Sequence, residues 1–287
     1  NDDEALLHKV REKLKEASLF INVGEGTIEK DITEDIDWVN NWKQFFKAFT
    51  VGEFYIKPTW EEIDEAHKDM KMIEIDPGTA FGTGKHETTQ LCINQLIKYV
   101  KPGDTVLDLG CGSGILSFFL NSYFKEIIAI EQDVKASICA KKNLENFKNI
   151  KVINEDVFNY NFSKKSDLIV CEMLDTALID EEEVPVLNHV RNYLKEDGRI
   201  IPQGIINIIE LAHLERDYIH YDEDVSCEIL SKPVIYDEIN FLNEINPNFE
   251  KVITLKAKKD SSVNGLKITT VTKLNDNLVC GPTPMLN

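Results

Sequence analysis

The stretch VLDLGCGSGILS, Val106 to Ser117, runs an apolar segment into three alternating glycines and then into a second apolar segment. The first segment reads as a buried strand and the second as the opening of a helix. Gly110, Gly112 and Gly114 let the backbone turn tightly and let a ligand approach closer than a Cβ would allow. A helix starting there offers free N–H groups. A dinucleotide loop would carry G-x-G-x-x-G, with its third glycine where Ile115 stands. Instead Asp108 lies two residues before the first glycine, where it suits a cationic ammonium and would repel a pyrophosphate.

The same pattern repeats downstream. EIIAIEQD and IKVINEDV read as the second and third strands, SDLIVCEM as the fourth, and KEDGRIIP as a turn into a fifth. The helices between them are GILSFFLNSYF, VKASICAKKNLENF and VPVLNHVRNYL. Strands alternating with helices predict a parallel sheet covered on both faces, a Rossmann-like doubly wound α/β fold of the seven-strand type. Glu131 ends the second strand, 21 positions after Gly110, which is the place for an acid holding ribose hydroxyls. Asp156 follows the third strand and can accept a bond from an exocyclic adenine amine. An amino acid, a ribose and an adenine in a row describe S-adenosylmethionine. A generic α/β turn would explain a lone glycine triplet, but not acids at three successive strand ends.

Outside this block the texture differs. Glu4 to Phe20 has helical spacing of Leu6, Leu7, Val10, Leu14 and Ala17, and FINVGEGTIEKD reads as two short strands about Gly24 to Gly26. The aromatic-rich DWVNNWKQFFKAFTVGEFYIKPTW ends in a strand stopped by Pro58, and Thr88 to Tyr99 reads as a helix. After Pro202, GIINIIELAHLE, KVITLKAK and LKITTVTKL alternate and are β-branched, predicting an antiparallel C-terminal β module. The expected organisation is residues 1–60 as an N-terminal helix and strands, 61–203 as the cofactor-binding domain and 204–287 as the β module.

Acidic residues outnumber basic ones 50 to 32 in 287 residues, a net charge of −18. That argues against a nucleic-acid phosphate backbone as the natural partner and suits a basic protein or peptide, although solubility alone would also explain it. The six cysteines form no C-x-x-C pair, so neither a zinc site nor a redox motif is indicated, and free thiols in a reducing cytoplasm are expected. No stretch approaches the roughly 20 apolar residues needed to cross a bilayer.

DPGTAFGTGKHETT, Asp76 to Thr89, followed by VLDLGCGSGILS, resembles the bacterial ribosomal protein L-eleven methyltransferases, the PrmA family. The resemblance implies an S-adenosylmethionine-dependent methyltransferase. It also implies that the Gly/Thr loop folds over the cofactor, placing Phe81, Gly82, Thr83, Gly84 and Thr89 near it. His86 is either a polar contact there or a cap on the following helix.

DLIVCEMLDTALIDEEEVP, Asp167 to Pro185, departs from that family, which has Asn-Ile-Leu-Ala where this chain has Glu172-Met173-Leu174. It resembles instead the protein arginine N-methyltransferases, in which a glutamate at this strand end and another nine residues on bracket a guanidinium. Glu172 and Glu181 have that spacing, and NYLKEDGRIIPQ resembles that family's approach to its β-barrel. Met173, Asp175 and Thr176 stand where that family has Trp, Gly and Tyr.

Two carboxylates can hold a planar, permanently charged guanidinium bidentately against the methyl, whereas an amine must lose a proton first and two carboxylates would oppose that. Acids at Glu181 to Glu183 also suit a helix N-terminus for no other reason. The expectation is an N-methyltransferase acting on a protein or peptide, with Glu172 and Glu181 orienting the acceptor and arginine slightly ahead of an amine or a small molecule. Asp108, Gly110, Gly112, Glu131, Asp156 and the loop residues would hold the cofactor, with Glu172 near it. A homodimer is expected by resemblance, and a non-catalytic scaffold is the rival from another class.

Overall fold

In the computed structural model, residues 2–18, 28, 47–51, 54–63, 65–74, 92–93, 96, 101–121, 123–214 and 227–286 are described. Residues Asn1–Phe46 and Lys47–Asn287 form two separate compact units. In the first, α1 (Asp2–Ala17) half-buries Leu7 and Leu14 but leaves Val10 exposed. The expected strands about Gly24 to Gly26 lie outside the described residues.

The second unit opens with β1 (Phe49–Val51) and β2 (Phe54–Lys57), paired antiparallel, and β3 (Lys71–Glu74), parallel to β2. As expected, Pro58 follows the last residue of β2. The alternation then runs β4 (Thr105–Leu109), α2 (Ile115–Leu120), β5 (Glu126–Glu131), α3 (Val134–Leu144), β6 (Ile150–Asn154), β7 (Ser166–Cys171), α4 (Glu183–Val190) and β8 (Leu194–Ile201). These strands form one parallel sheet in the order β6-β5-β4-β7-β8.

The period-2 alternation of each strand decides what each face buries. Val106, Ile127, Leu168 and Val170 pack with Ile115, Leu116, Phe119 and Leu120 of α2. Leu107, Leu109, Ile169 and Cys171 pack with Val186, Leu187 and Val190 of α4 on the other side. The sheet is therefore doubly wound, as the sequence predicted. At its lower edge Asp167 accepts from the Thr105 N–H at 2.8 Å, the Thr105 hydroxyl at 2.9 Å and Lys195 Nζ at 2.7 Å, tying β4, β7 and β8 in register.

The C-terminal strands β9 (Gly204–Leu214), β10 (Cys227–Ile229), β11 (Val234–Asn240), β12 (Gly265–Asn275) and β13 (Leu278–Leu286) form an antiparallel sheet. β9 is its spine, pairing β12 along one edge and β10 and β11 along the other. KVITLKAK is not the strand the alternation predicted: apart from an isolated bridge at Ala257 it has no sheet partner among the described residues, and Val252 is 93% exposed. Alternation without a face to bury against does not make a strand.

This sheet is fused to the parallel one. Ile205, Phe241 and Ile245 join the α4-side core, while Leu274 and Cys280 join the α2-side core. Asn188 of α4 donates to the Ile245 carbonyl at 2.7 Å and accepts from the Ile245 N–H at 2.9 Å. No helix among the described residues is long and apolar enough to cross a membrane. All six cysteines are free thiols.

Gly204 is where β8 hands over to β9, and a Cβ there would lie 2.0 Å from the Ile239 carbonyl oxygen. The neighbour is backbone, so it cannot swing aside. Gly204→Ala is expected to lower unfolding stability by about 2 kcal/mol or more, read by urea denaturation.

Candidate active site

Connections leaving β4 and β7 go to opposite faces of the sheet, so a crevice opens between their C-terminal ends, where open α/β folds bind ligands. A cavity of about 870 Å³ occupies it. Every glycine of the loop after β4 has positive φ: 63° at Gly110, 55° at Gly112 and 81° at Gly114. A Cβ on Gly110 would sit 2.7 Å from Met173 Sδ, and one on Gly114 would sit 2.7 Å from Leu144 Cδ1. The third glycine therefore lets α2 approach α3, and the first lets the turn pass beneath Met173.

Asp108, Gly110, Gly112, Glu131, Asp156, Glu172 and Glu181 all line this cavity, so tertiary structure brings together these seven sequence-predicted residues. Phe81, Gly82, Thr83, Gly84, Thr89 and His86 lie outside the described residues.

Glu131 anchors the glycine turn. One carboxylate oxygen accepts from the Gly112 N–H and the other from the Asp133 N–H, both at 2.9 Å. Each oxygen keeps a lone pair for a ligand hydroxyl. Asp156 uses Oδ1 to accept from the Phe158 N–H at 2.9 Å. Asp108 is 1% exposed, and burial pushes its carboxyl up to about 6, although the Ser117 hydroxyl donates to it at 2.6 Å. A cation in the cavity would relieve that cost. A nucleoside carrying an ammonium thus fits the donor and acceptor set.

The acidic segment after β7 behaves differently from its sequence reading. Glu172 faces the cavity and is partly exposed, while Glu181 reaches the cavity mouth as an exposed side chain. The acid drawn inward is Glu183, 0% exposed, which the sequence reading assigned only to a helix start. It does begin α4, yet its side chain turns back to the sheet. Its Oε2 accepts from the Met173 N–H at 3.2 Å and from the Cys171 thiol at 3.4 Å. Its Oε1 is buried without a hydrogen-bond partner among the described residues.

Burial pushes the Glu183 carboxyl up to about 8, so it is largely neutral at pH 7. The signal was available in the sequence: Glu183, Val186, Leu187 and Val190 fall at helical spacing on one buried face.

The intervening loop carries backbone strain. Ala177 and Leu178 adopt φ of 63° and 57°, left-handed values that cost non-glycine residues on the order of 1 kcal/mol apiece.

Since the folded pKa of Glu183 lies above its ordinary value of 4.5, the unfolded chain releases this proton first. Its contribution to stability is complete below pH 4.5 and is lost as pH rises to about 8. Glu183→Gln should therefore flatten the decline in unfolding free energy across that window. Parallel pH profiles for the two proteins in denaturant titrations would contradict this.

Residues 2–212 match the family model of Ribosomal protein L11 methyltransferase (PrmA). A Ribosomal protein L11 methyltransferase of Lachnospira eligens is 40% identical over 215 residues, covering 73% of this chain and 68% of that protein. Two solved structures share the fold at low identity. The Trypanosoma brucei PRMT1 enzyme-prozyme heterotetrameric complex with AdoHcy has a TM-score of 0.56 at 16% identity, covering 70% of this chain and 78% of that one. The open-conformation Arabidopsis thaliana Protein Arginine Methyltransferase 10 has a TM-score of 0.57 at 15% identity, covering 70% and 74%. A glycine turn at the β4–β7 switch point, an acid at each strand end and the family match agree: the chain belongs to the ribosomal protein L11 methyltransferase (PrmA) family and is an S-adenosylmethionine-dependent methyltransferase.

Proposed function

We propose that this methyltransferase N-methylates a cationic side chain of a basic protein, with an amine as the acceptor. The observation that carries a cationic acceptor is the charge of the cavity, where the described lining includes nine acidic side chains and one basic one, Lys135. Such a crevice concentrates and orients cations and rejects anions. The name of the Lachnospira eligens relative, with ribosomal protein L11 in it, supports a protein acceptor.

S-adenosylmethionine supplies an electrophilic methyl on a sulfonium. In this reading Glu131 would accept from the ribose hydroxyls, Asp108 would balance the ammonium, and Asp156 would accept from the adenine amine. Glu172, at the end of β7, orients the acceptor nitrogen.

An amine has to shed a proton before it attacks, and every ionised carboxylate beside it opposes that. Because buried Glu183 is held largely neutral at pH 7, it adds little negative charge behind Glu172. Glu181 is solvent-exposed, where its field is screened. The guanidinium reading is favoured by one observation, that Glu172 and Glu181 stand nine residues apart and both line the cavity.

The two readings separate by pH. With purified ribosomal protein L11 as acceptor, single-turnover methyl transfer should rise about tenfold per pH unit between about 7 and 9 for an amine whose pKa is near 10.4. A flat profile, with the label recovered as methylarginine on hydrolysis, would instead establish the guanidinium. Glu172→Gln should leave the calorimetric affinity for S-adenosylhomocysteine within about threefold and lower transfer at least about 100-fold. Loss of that affinity would make Glu172 a cofactor residue.

A further inference from the structure

We propose that Thr270 and Asn207 of the C-terminal sheet are positioning residues for the acceptor side of the site. The proposal rests on the reading that Glu172 and Glu181 face the acceptor. The loop between β7 and α4 carries both acids, together with Asp180 and Glu182, to the cavity. At its centre are Ala177 and Leu178, in left-handed conformations that neither side chain favours.

Hydrogen bonds from within and from outside the loop hold that shape. Within the loop, Asp175 Oδ2 accepts from the Ile179 N–H at 2.9 Å and the Asp180 N–H at 2.8 Å. From outside, the Ala177 N–H donates to Thr270 Oγ1 at 2.7 Å, and that hydroxyl donates to Asn207 Oδ1 at 2.7 Å. Thr270 is 1% exposed and Asn207 is 2% exposed, and they are directly opposed across β12 and β9. The relay is buried and rooted in the spine of the sheet, so it fixes the loop against a rigid frame.

β12 lies beyond residue 212, where the family match ends. Thr270 therefore links a part of the chain outside that match to the acids of the crevice. The glycine turn and Glu131 have no part in the relay, so cofactor binding should be insensitive to it.

Thr270→Val keeps the shape and removes the oxygen, whereas Thr270→Ser keeps the oxygen. In the full chain, Thr270→Val should speed amide exchange across residues 172–182 and raise the KM for purified ribosomal protein L11 about tenfold. S-adenosylhomocysteine affinity should stay within about twofold, and Thr270→Ser should track the unsubstituted protein in every readout. Unchanged loop exchange in Thr270→Val would overturn the relay, as would equal impairment of both variants in exchange, KM and thermal unfolding. Glu172→Gln, run alongside, keeps the two readings apart. Full transfer by that variant would overturn the acceptor assignment, while the exchange data report independently on whether Thr270 holds the loop.

Discussion

β4 and β7 lie side by side with their connections leaving to opposite faces, and that reversal creates the crevice on which the rest of the site depends. At the strand ends the glycine turn after β4 and the acids after β5 and β7 meet around one cavity. The two apolar cores on either side keep β4 and β7 parallel and in register. Asp108 of β4 is buried, and that burial pushes its carboxyl up to about 6.

The acids of this segment differ in exposure. At the mouth Glu181 and Glu182 are exposed, Glu172 is intermediate, and Glu183 is sealed beneath Met173. Burial strips charge from the deepest carboxyl, so it serves as a hydrogen-bonding strut. Met173, whose backbone that strut holds, lies close over Gly110. The described lining of the crevice is predominantly acidic, which favours cations over anions.

The antiparallel sheet does more than extend the fold. Its first strand continues from β8, its side chains enter both cores, and its Thr270 hydroxyl reaches the acid-bearing loop. A family resemblance confined to residues 2–212 therefore leaves out part of what shapes the crevice.

Local pattern alone determined the parallel sheet, the glycine turn and the acids at three strand ends, because period-2 and helical spacings and positive-φ glycines are written residue by residue. Helical spacing also placed Glu183 on the buried stripe of α4, although an acid in a helix's first turn reads equally well as a dipole partner. Tertiary structure decided what depends on partners distant in the chain. KVITLKAK alternates like a strand yet finds almost no sheet partner, and the pairing of β11 with β9 depends on which edge stays open. The choice of Glu183 over Glu181 as the buried acid follows from how α4 packs on β7. The left-handed turn at Ala177 and Leu178 contains no glycine to announce it, since a hydroxyl 93 residues away holds its backbone. Contacts across that distance have no period, so only the folded chain could supply them.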